Sequence, residues 1–226
     1  MGYIISVLGQ KGGTGKSTVA RLLATEFARQ VSDGEGWSVK IADLDLSQKT
    51  SVEWAARRMQ NGVVPEVRAE AYRVEKAMKD ADHFDVLVID GAPHATQDTL
   101  TAARSSQIIL LPTGPSLDDL RPTVTLAHEL KAHKIDMAKV IFVLTRTGKS
   151  DVEDREAREY IAKAGYAVTK GTLAEQIAYR RATDTGNAVS ETGFKGLNDK
   201  AQALFGEMIA PISTSDETTQ NEVHAA

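Results

Sequence analysis

The sequence predicts an α/β fold: a doubly wound, mostly parallel sheet with helices on both faces. Three observations carry this. Short β-rich apolar runs alternate with longer stretches of helical periodicity, and the strongest strand runs are apolar throughout rather than alternating. A glycine-rich loop joins the first strand to the first helix.

The elements follow in order. Continuous apolar runs at Tyr3–Leu8, Ser38–Ala42, Val86–Ile89, Ile108–Leu111 and Val140–Leu144 read as strands covered on both faces, with weaker candidates at Val67–Ala69 and Tyr166–Thr169. Apolar residues three and four apart predict helices over Ser17–Gln30, Val52–Asn61, Val74–Ala81, Asp118–Ala132 and Val152–Ala164. Ser32 to Gly36 reads as a turn, and Lys149-Ser150-Asp151 as a loop that caps the next helix.

At 226 residues and 42% hydrophobic, the chain has material for one sizeable core, so residues 1–212 are expected to form one domain. Residues 213–226 are polar with little to bury and are expected to be a disordered tail. The 27 basic and 31 acidic side chains leave a net charge of −4, so any contact with nucleic acid must come from a local basic patch. With no cysteine, disulfides and thiolate-held iron–sulfur or zinc sites are excluded. No stretch reads as a signal peptide or membrane span, so a cytoplasmic location and no membrane partner are expected.

The first strand runs into Gly9-Gln10-Lys11-Gly12-Gly13-Thr14-Gly15-Lys16-Ser17-Thr18, and helical periodicity starts at Ser17. Strand, glycine loop, lysine, hydroxyl and helix in that order make a phosphate-binding loop. Gly12, Gly13 and Gly15 let the backbone curl until successive N–H groups face a phosphate, and Thr14 and Thr18 belong to the same cradle. Lys16 supplies a cation to the β and γ phosphates, and Ser17 a ligand for Mg2+. The cofactors expected are therefore ATP and Mg2+, and the reaction ATP hydrolysis. In an empty site the head of Lys16 is expected to face solvent. Phosphoryl transfer also needs strand-end carboxylates beside the loop, and Val86–Ile89 leads straight into Asp90, placed to meet the metal. The histidines form no ligand cluster, and His94 is the one expected near the nucleotide.

One lysine completes such a loop, so Lys11 needs its own explanation. The run Lys11-Gly12-Gly13-Thr14-Gly15-Lys16-Ser17, preceded by Gln10, resembles the deviant Walker A signature of the ParA/MinD family of ATPases. That resemblance implies that Lys11 reaches the partner's phosphates across a nucleotide-sandwiched homodimer. Asp43-Leu44-Asp45 resembles the family's D-x-D-P-Q segment, which implies that Asp45 orients the attacking water. Leu46-Ser47-Gln48 replaces the Pro-Gln, so Gln48 has no assured equivalent, and Asp43 reads as a cap. The segment from Ile108 to Asp118 is similar to part of the family's nucleotide pocket and dimer surface, which brings in Pro112.

The resemblance is closest to the small ParF-like plasmid-partition branch, which lacks an N-terminal DNA-binding extension. It implies an ATP-dependent dimer that binds DNA non-specifically, associates with the nucleoid, and moves DNA cargo with a small centromere-binding partner. Arg180, Arg181 and Lys195, with Lys163, Lys170 and Lys200, are the candidate DNA contacts. A MinD-type membrane anchor is disfavoured, since Ser213 to Ala226 carries no lysine or arginine. The alternative is a nucleotide-gated scaffold that positions a protein cargo or a conjugation apparatus.

Overall fold

A computed structural model describes residues 2–32, 35–93 and 97–223, with the backbone alone described at 31, 32, 35 and 212–223. The first half carries β1 (Tyr3–Val7), α1 (Lys16–Ala28), β2 (Val31–Ser32), β3 (Glu35–Gly36), β4 (Val39–Asp43), α2 (Thr50–Gln60), β5 (Arg68–Ala71), α3 (Val74–Asp80) and β6 (Val86–Asp90). The second half carries α4 (Gln97–Ser105), β7 (Ile108–Thr113), α5 (Leu117–Ala132), β8 (Val140–Thr147), α6 (Asp151–Lys163), β9 (Ala167–Ala174), α7 (Ile177–Asp184) and α8 (Lys195–Val223).

Seven strands form one sheet in the order β5-β4-β6-β1-β7-β8-β9, and every pairing in it is parallel. Because side chains alternate across a strand, β1 sends Ile5 and Val7 into one core and Ile4 into the other. The first core is closed by α1, α2 and α8, through residues such as Leu23, Trp54 and Leu204, and the second by α3, α4, α5 and α6, through Val74, Ala102, Leu126 and Ile161. The fold is the expected doubly wound one, and the strand order reverses beside β1, where open α/β sheets form their ligand crevice.

The departures have physical reasons. The expected turn at Ser32 to Gly36 carries a two-residue antiparallel pairing, with Val31 opposite Gly36 and Ser32 opposite Glu35. Helix α4 gave no periodic signal because the residues it buries fully, Thr99, Ala102 and Ala103, are small, and Leu100 packs on the core only in part. Strand β9 runs to Ala174, well past the expected Thr169, through register shifts against β8 that the Lys170-Gly171 break conceals in the sequence. The boundary expected at 212 falls inside α8, whose backbone is helical through Pro211 to Val223.

Edge strand β5 is fastened by charge. Lys40 of β4 is buried and donates to Glu70 at 2.9 Å and Asp80 at 2.8 Å, and it also bonds the hydroxyl of Tyr72. Burial alone would lower the pKa of Lys40, but its bonds to Asp80, Tyr72 and Glu70 raise it. In return Lys40 leads the causes holding Glu70 and Asp80 down, each to about 2. Both carboxylates therefore have folded pKa values below their ordinary ones, so their contribution is present above the ordinary 4.5 and 3.8 and is lost as pH falls toward about 2. The expected result is a urea midpoint that drops steeply in that window, and a Lys40→Met variant that is less stable at neutral pH yet flatter through the acid range. Parallel curves for the two proteins would contradict the account.

Candidate functional site

The carboxyl ends of β1, β4 and β6 lie in register, Val7 with Asp90 and Asp90 with Asp43. Immediately beyond β1 the chain makes the glycine loop. Gly13 and Gly15 sit at φ +76 and +87, in the left-handed region where only glycine is at ease, so the loop's curl depends on them. A side chain on Gly15 would also meet Thr145 at 3.3 Å. The end of β8 braces the loop, since Thr145 Oγ1 donates to the carbonyl of Thr14 at 2.8 Å and Arg146 to that of Gly13 at 3.2 Å. Arg146 itself has φ +53, a strained setting for a non-glycine residue. Helix α1 then starts with no side-chain cap and no acidic residue in its first turn, which leaves its N-terminal N–H groups and positive dipole end for an anion.

The two lysines take different stations. Lys16, expected to face solvent, is 7% exposed and folds inward to donate to the carbonyl of Lys11 at 2.9 Å. Burial lowers its pKa, and Asp90 and Asp45 oppose that. Lys11 stands on the rim, pairing with Asp119 of α5 at 2.6 Å and reaching the carbonyl of Asp118 at 3.4 Å. That carbonyl lacks its helical donor because Pro122, four residues on, has no N–H. Gln10 makes a parallel contact, donating to Glu129 at 2.9 Å.

On the opposite wall of the cleft stand the aspartates. Asp90 is 2% exposed, and one oxygen accepts from Ser51 Oγ at 2.7 Å while Oδ1 has no hydrogen-bond partner among the described residues. Burial pushes its pKa up to about 6, against the pull of the Ser51 hydroxyl. Ser17 Oγ lies 3.0 Å from Thr50 Oγ1, so hydroxyls from α1 and α2 face each other beside Asp90. A buried carboxylate oxygen without a donor, next to hydroxyls, fits a divalent cation that takes its remaining ligands from a nucleotide. Among the described residues no cluster of three or more His, Asp or Glu side chains is arranged to hold a metal by itself.

Asp45 lines the same cleft and accepts from the backbones of Ser47 and Gln48 at 3.1 and 3.0 Å, a local turn that fixes its side chain. Gln48 also lines the cleft. Asp43 accepts from the amides of Asp45 and Ser51 and so joins the loop to the first turn of α2, which is a cap's work. The cleft, of about 390 Å³, thus gathers Gly12, Gly13, Gly15, Lys16, Ser17 and Thr18 against Asp43, Asp45 and Asp90. Thr14 is buried beneath the loop.

Other expectations fare differently. Pro112 is buried in β7 opposite Val143 and is not among the residues lining the cleft. His94 lies outside the described residues. Arg180 is paired with Glu175 at 3.7 Å and Lys195 with Asp199 at 2.7 Å, while Arg181 has no acidic partner among the described residues. Sequence reasoning missed Arg21 and Thr50 in the cleft and Ser51 buried against Asp90, and also a neighbouring cavity that shares Gly15, Thr18 and Arg146 with the cleft and runs to Leu173, Gln176 and Tyr179. A polar residue inside α1 or opening α2 carries no motif, so no local signal marked these positions.

A family model described as the CobQ/CobB/MinD/ParA nucleotide binding domain matches residues 5–189. A search of curated proteins returned no match. Among solved structures the chain resembles the cell division ATPase MinD of Pyrococcus furiosus, with 24% identity and TM-score 0.70 over 95% of this chain and 99% of that one. It also resembles a ParA family ATPase from Chlorobium tepidum, with 15% identity and TM-score 0.72 over 91% and 99%. A third is a putative plasmid partition protein of Borrelia burgdorferi bound to AMPPNP, with 16% identity and TM-score 0.68 over 91% and 98%. At these identities the structural likenesses show the fold, a P-loop fold shared with MinD and ParA proteins, and the family model covers most of the chain: the protein belongs to the CobQ/CobB/MinD/ParA nucleotide-binding domain family.

Proposed function

We propose that this ATPase is a DNA-partition protein that dimerises on ATP, with two nucleotides sandwiched between subunits. The observation that carries the reading is the divergence of the two loop lysines: Lys16 is buried in the cleft, while the Lys11 side chain is 44% exposed on its rim. Lys16 serves the nucleotide of its own subunit, and Lys11 leaves Asp119 to neutralise the γ-phosphate of the other. The base lies in the cavity between Arg146, Leu173 and Tyr179, and the phosphates on the amides of Gly12 to Ser17. Mg2+, held by Ser17 and through water by Asp90, would neutralise charge on the β and γ phosphate oxygens. Asp45 orients a water so that its oxygen bonds the γ-phosphorus as the bond to the bridging oxygen breaks, releasing ADP and phosphate.

On this reading the ATP dimer aligns two copies of α7 and of the start of α8 along non-specific DNA, through Arg180, Arg181 and Lys195. A small centromere-binding partner then stimulates hydrolysis and release, and the ATP form associates with the nucleoid in the cytoplasm. One observation favours the alternative of a nucleotide-gated scaffold for a protein cargo: the pairing of Arg180 and Lys195 with carboxylates leaves the basic face partly neutralised.

Size-exclusion chromatography with ADP and with ATP tests the core of the proposal. Lys11→Ala is expected to bind ATP as a monomer and to lose turnover, and a variant that dimerises and hydrolyses normally would refute the role across the interface. Asp45→Ala should keep ATP and give a long-lived dimer with turnover down by about 10²-fold or more, the usual scale for losing a group that positions a proton-transferring water. Unchanged turnover moves that role elsewhere.

Duplex DNA of random sequence should bind only with ATP and weaken steeply with salt. Arg180→Glu with Arg181→Glu should abolish that binding, whereas an unaffected double variant, or a wild type that ignores DNA, would favour the scaffold.

A further inference from the structure

Helix α7 separates two concavities. Tyr179 and Arg180 face the cavity beside the phosphate loop, whereas Ile177 and Arg181 line a separate open groove of about 570 Å³, completed by Phe194, Leu197 and Lys200. Ile177 and Phe194 are each 63% exposed, yet they share one groove instead of being scattered over the surface. Exposed apolar side chains gathered around a concavity mark an interaction site, while isolated ones do not.

Phe194 is also held in place. Its amide donates to Thr192 Oγ1 at 3.1 Å, Thr192 is tied in turn to Asn198 at 2.7 Å, and the carbonyl of Phe194 accepts the amides of Leu197 and Asn198 that open α8. An aromatic carried on a backbone fixed by its own turn is a partly preorganised anchor, since docking on it need not order the chain that bears it.

The charges at this groove differ from those around it. Arg181 and Lys200 have no acidic partner among the described residues, although Arg180 and Lys195 nearby are both paired. Two unneutralised cations beside an apolar floor complement a segment with apolar residues on one face and carboxylates at its margins. A nucleic-acid backbone would answer the cations but leave Ile177, Phe194 and Leu197 against water. We propose that this groove docks an acidic amphipathic helix of a partner protein, its apolar stripe between Ile177 and Phe194 and its carboxylates on Arg181 and Lys200. Recognition is of the helix-in-groove kind. It rests on neither the nucleotide nor the DNA reading, and it competes with the latter for Arg181 alone.

The test uses the full chain without nucleotide and three probes: a synthetic helical peptide with Leu at helical spacing flanked by Glu, its twin with Lys for every Glu, and random-sequence duplex DNA. The Glu peptide is expected to bind with Kd on the order of 10 μM, as suits a small interface, and to shift amide NMR signals at Ile177, Arg181, Phe194 and Lys200. Phe194→Ala, and Arg181→Glu with Lys200→Glu, should each weaken it at least tenfold while leaving the thermal midpoint unchanged, since these side chains face solvent. The Lys twin should not bind, nor duplex DNA displace the Glu peptide. The proposal is overturned if the Glu peptide fails to bind, if its shifts map elsewhere, if both variants bind it normally, if the Lys twin binds equally well, or if duplex DNA displaces it, which would give the groove to nucleic acid.

Discussion

The site depends on the burial of Asp90 at the carboxyl end of β6. A carboxylate that is 2% exposed and raised to about 6 is costly to keep there, and it is answered on one side only: Ser51 donates to one oxygen, and the other has no hydrogen-bond partner among the described residues. The register of β1, β4 and β6 sets Asp90 beside the glycine loop and Asp43 beside Asp90. Because those strands are covered on both faces, that register cannot slip without exposing apolar residues on one side or the other.

Helix α2 carries the arrangement outward. Its first turn gives Thr50 to Ser17 and Ser51 to Asp90, while its far end is anchored by Arg58, 1% exposed, which meets Glu191 at 2.6 and 2.9 Å. Trp54 and Asn61 of the same region donate to the carbonyls of Asn187 and Thr185, just beyond α7. Removing one partner of such a buried ion pair typically costs about 3–5 kcal/mol, because the other charge is left uncompensated. The hydroxyls beside the candidate metal position are thus held by contacts made far from them, and α7 is joined through residues 185–191 to the helix that supplies those hydroxyls.

The glycine loop works in a comparable way. Its own sequence permits the curl, but the brace comes from Thr145 and Arg146 at the end of β8, and Lys11 is held on the rim by Asp119 and by the carbonyl that Pro122 leaves open. A loop whose amides must face a phosphate has few hydrogen bonds of its own to make, so neighbouring elements supply its rigidity.

The sequence by itself determined the parts whose signal is local. Continuous apolar runs marked the buried strands, and Gly12 to Ser17 between strand and helix marked the phosphate loop. The aspartates ending two of those runs marked the facing wall, because each of these depends on spacing along the chain. Tertiary structure decided what depends on distance in space. It turned the head of Lys16 inward rather than into solvent, and kept Pro112 inside β7. It gathered Ile177 and Phe194 around one groove with Arg181 and Lys200, which have no acidic partner among the described residues. Helix α4 and the far half of β9 also waited on the fold, since small side chains and a glycine break acquire structural meaning only against the neighbours they pack on. The physical reason is that which face of a strand or helix is covered, and by what, is set by pairing between segments far apart in the chain, as where β7 lies against β8, and such pairing leaves no periodicity for the sequence to display.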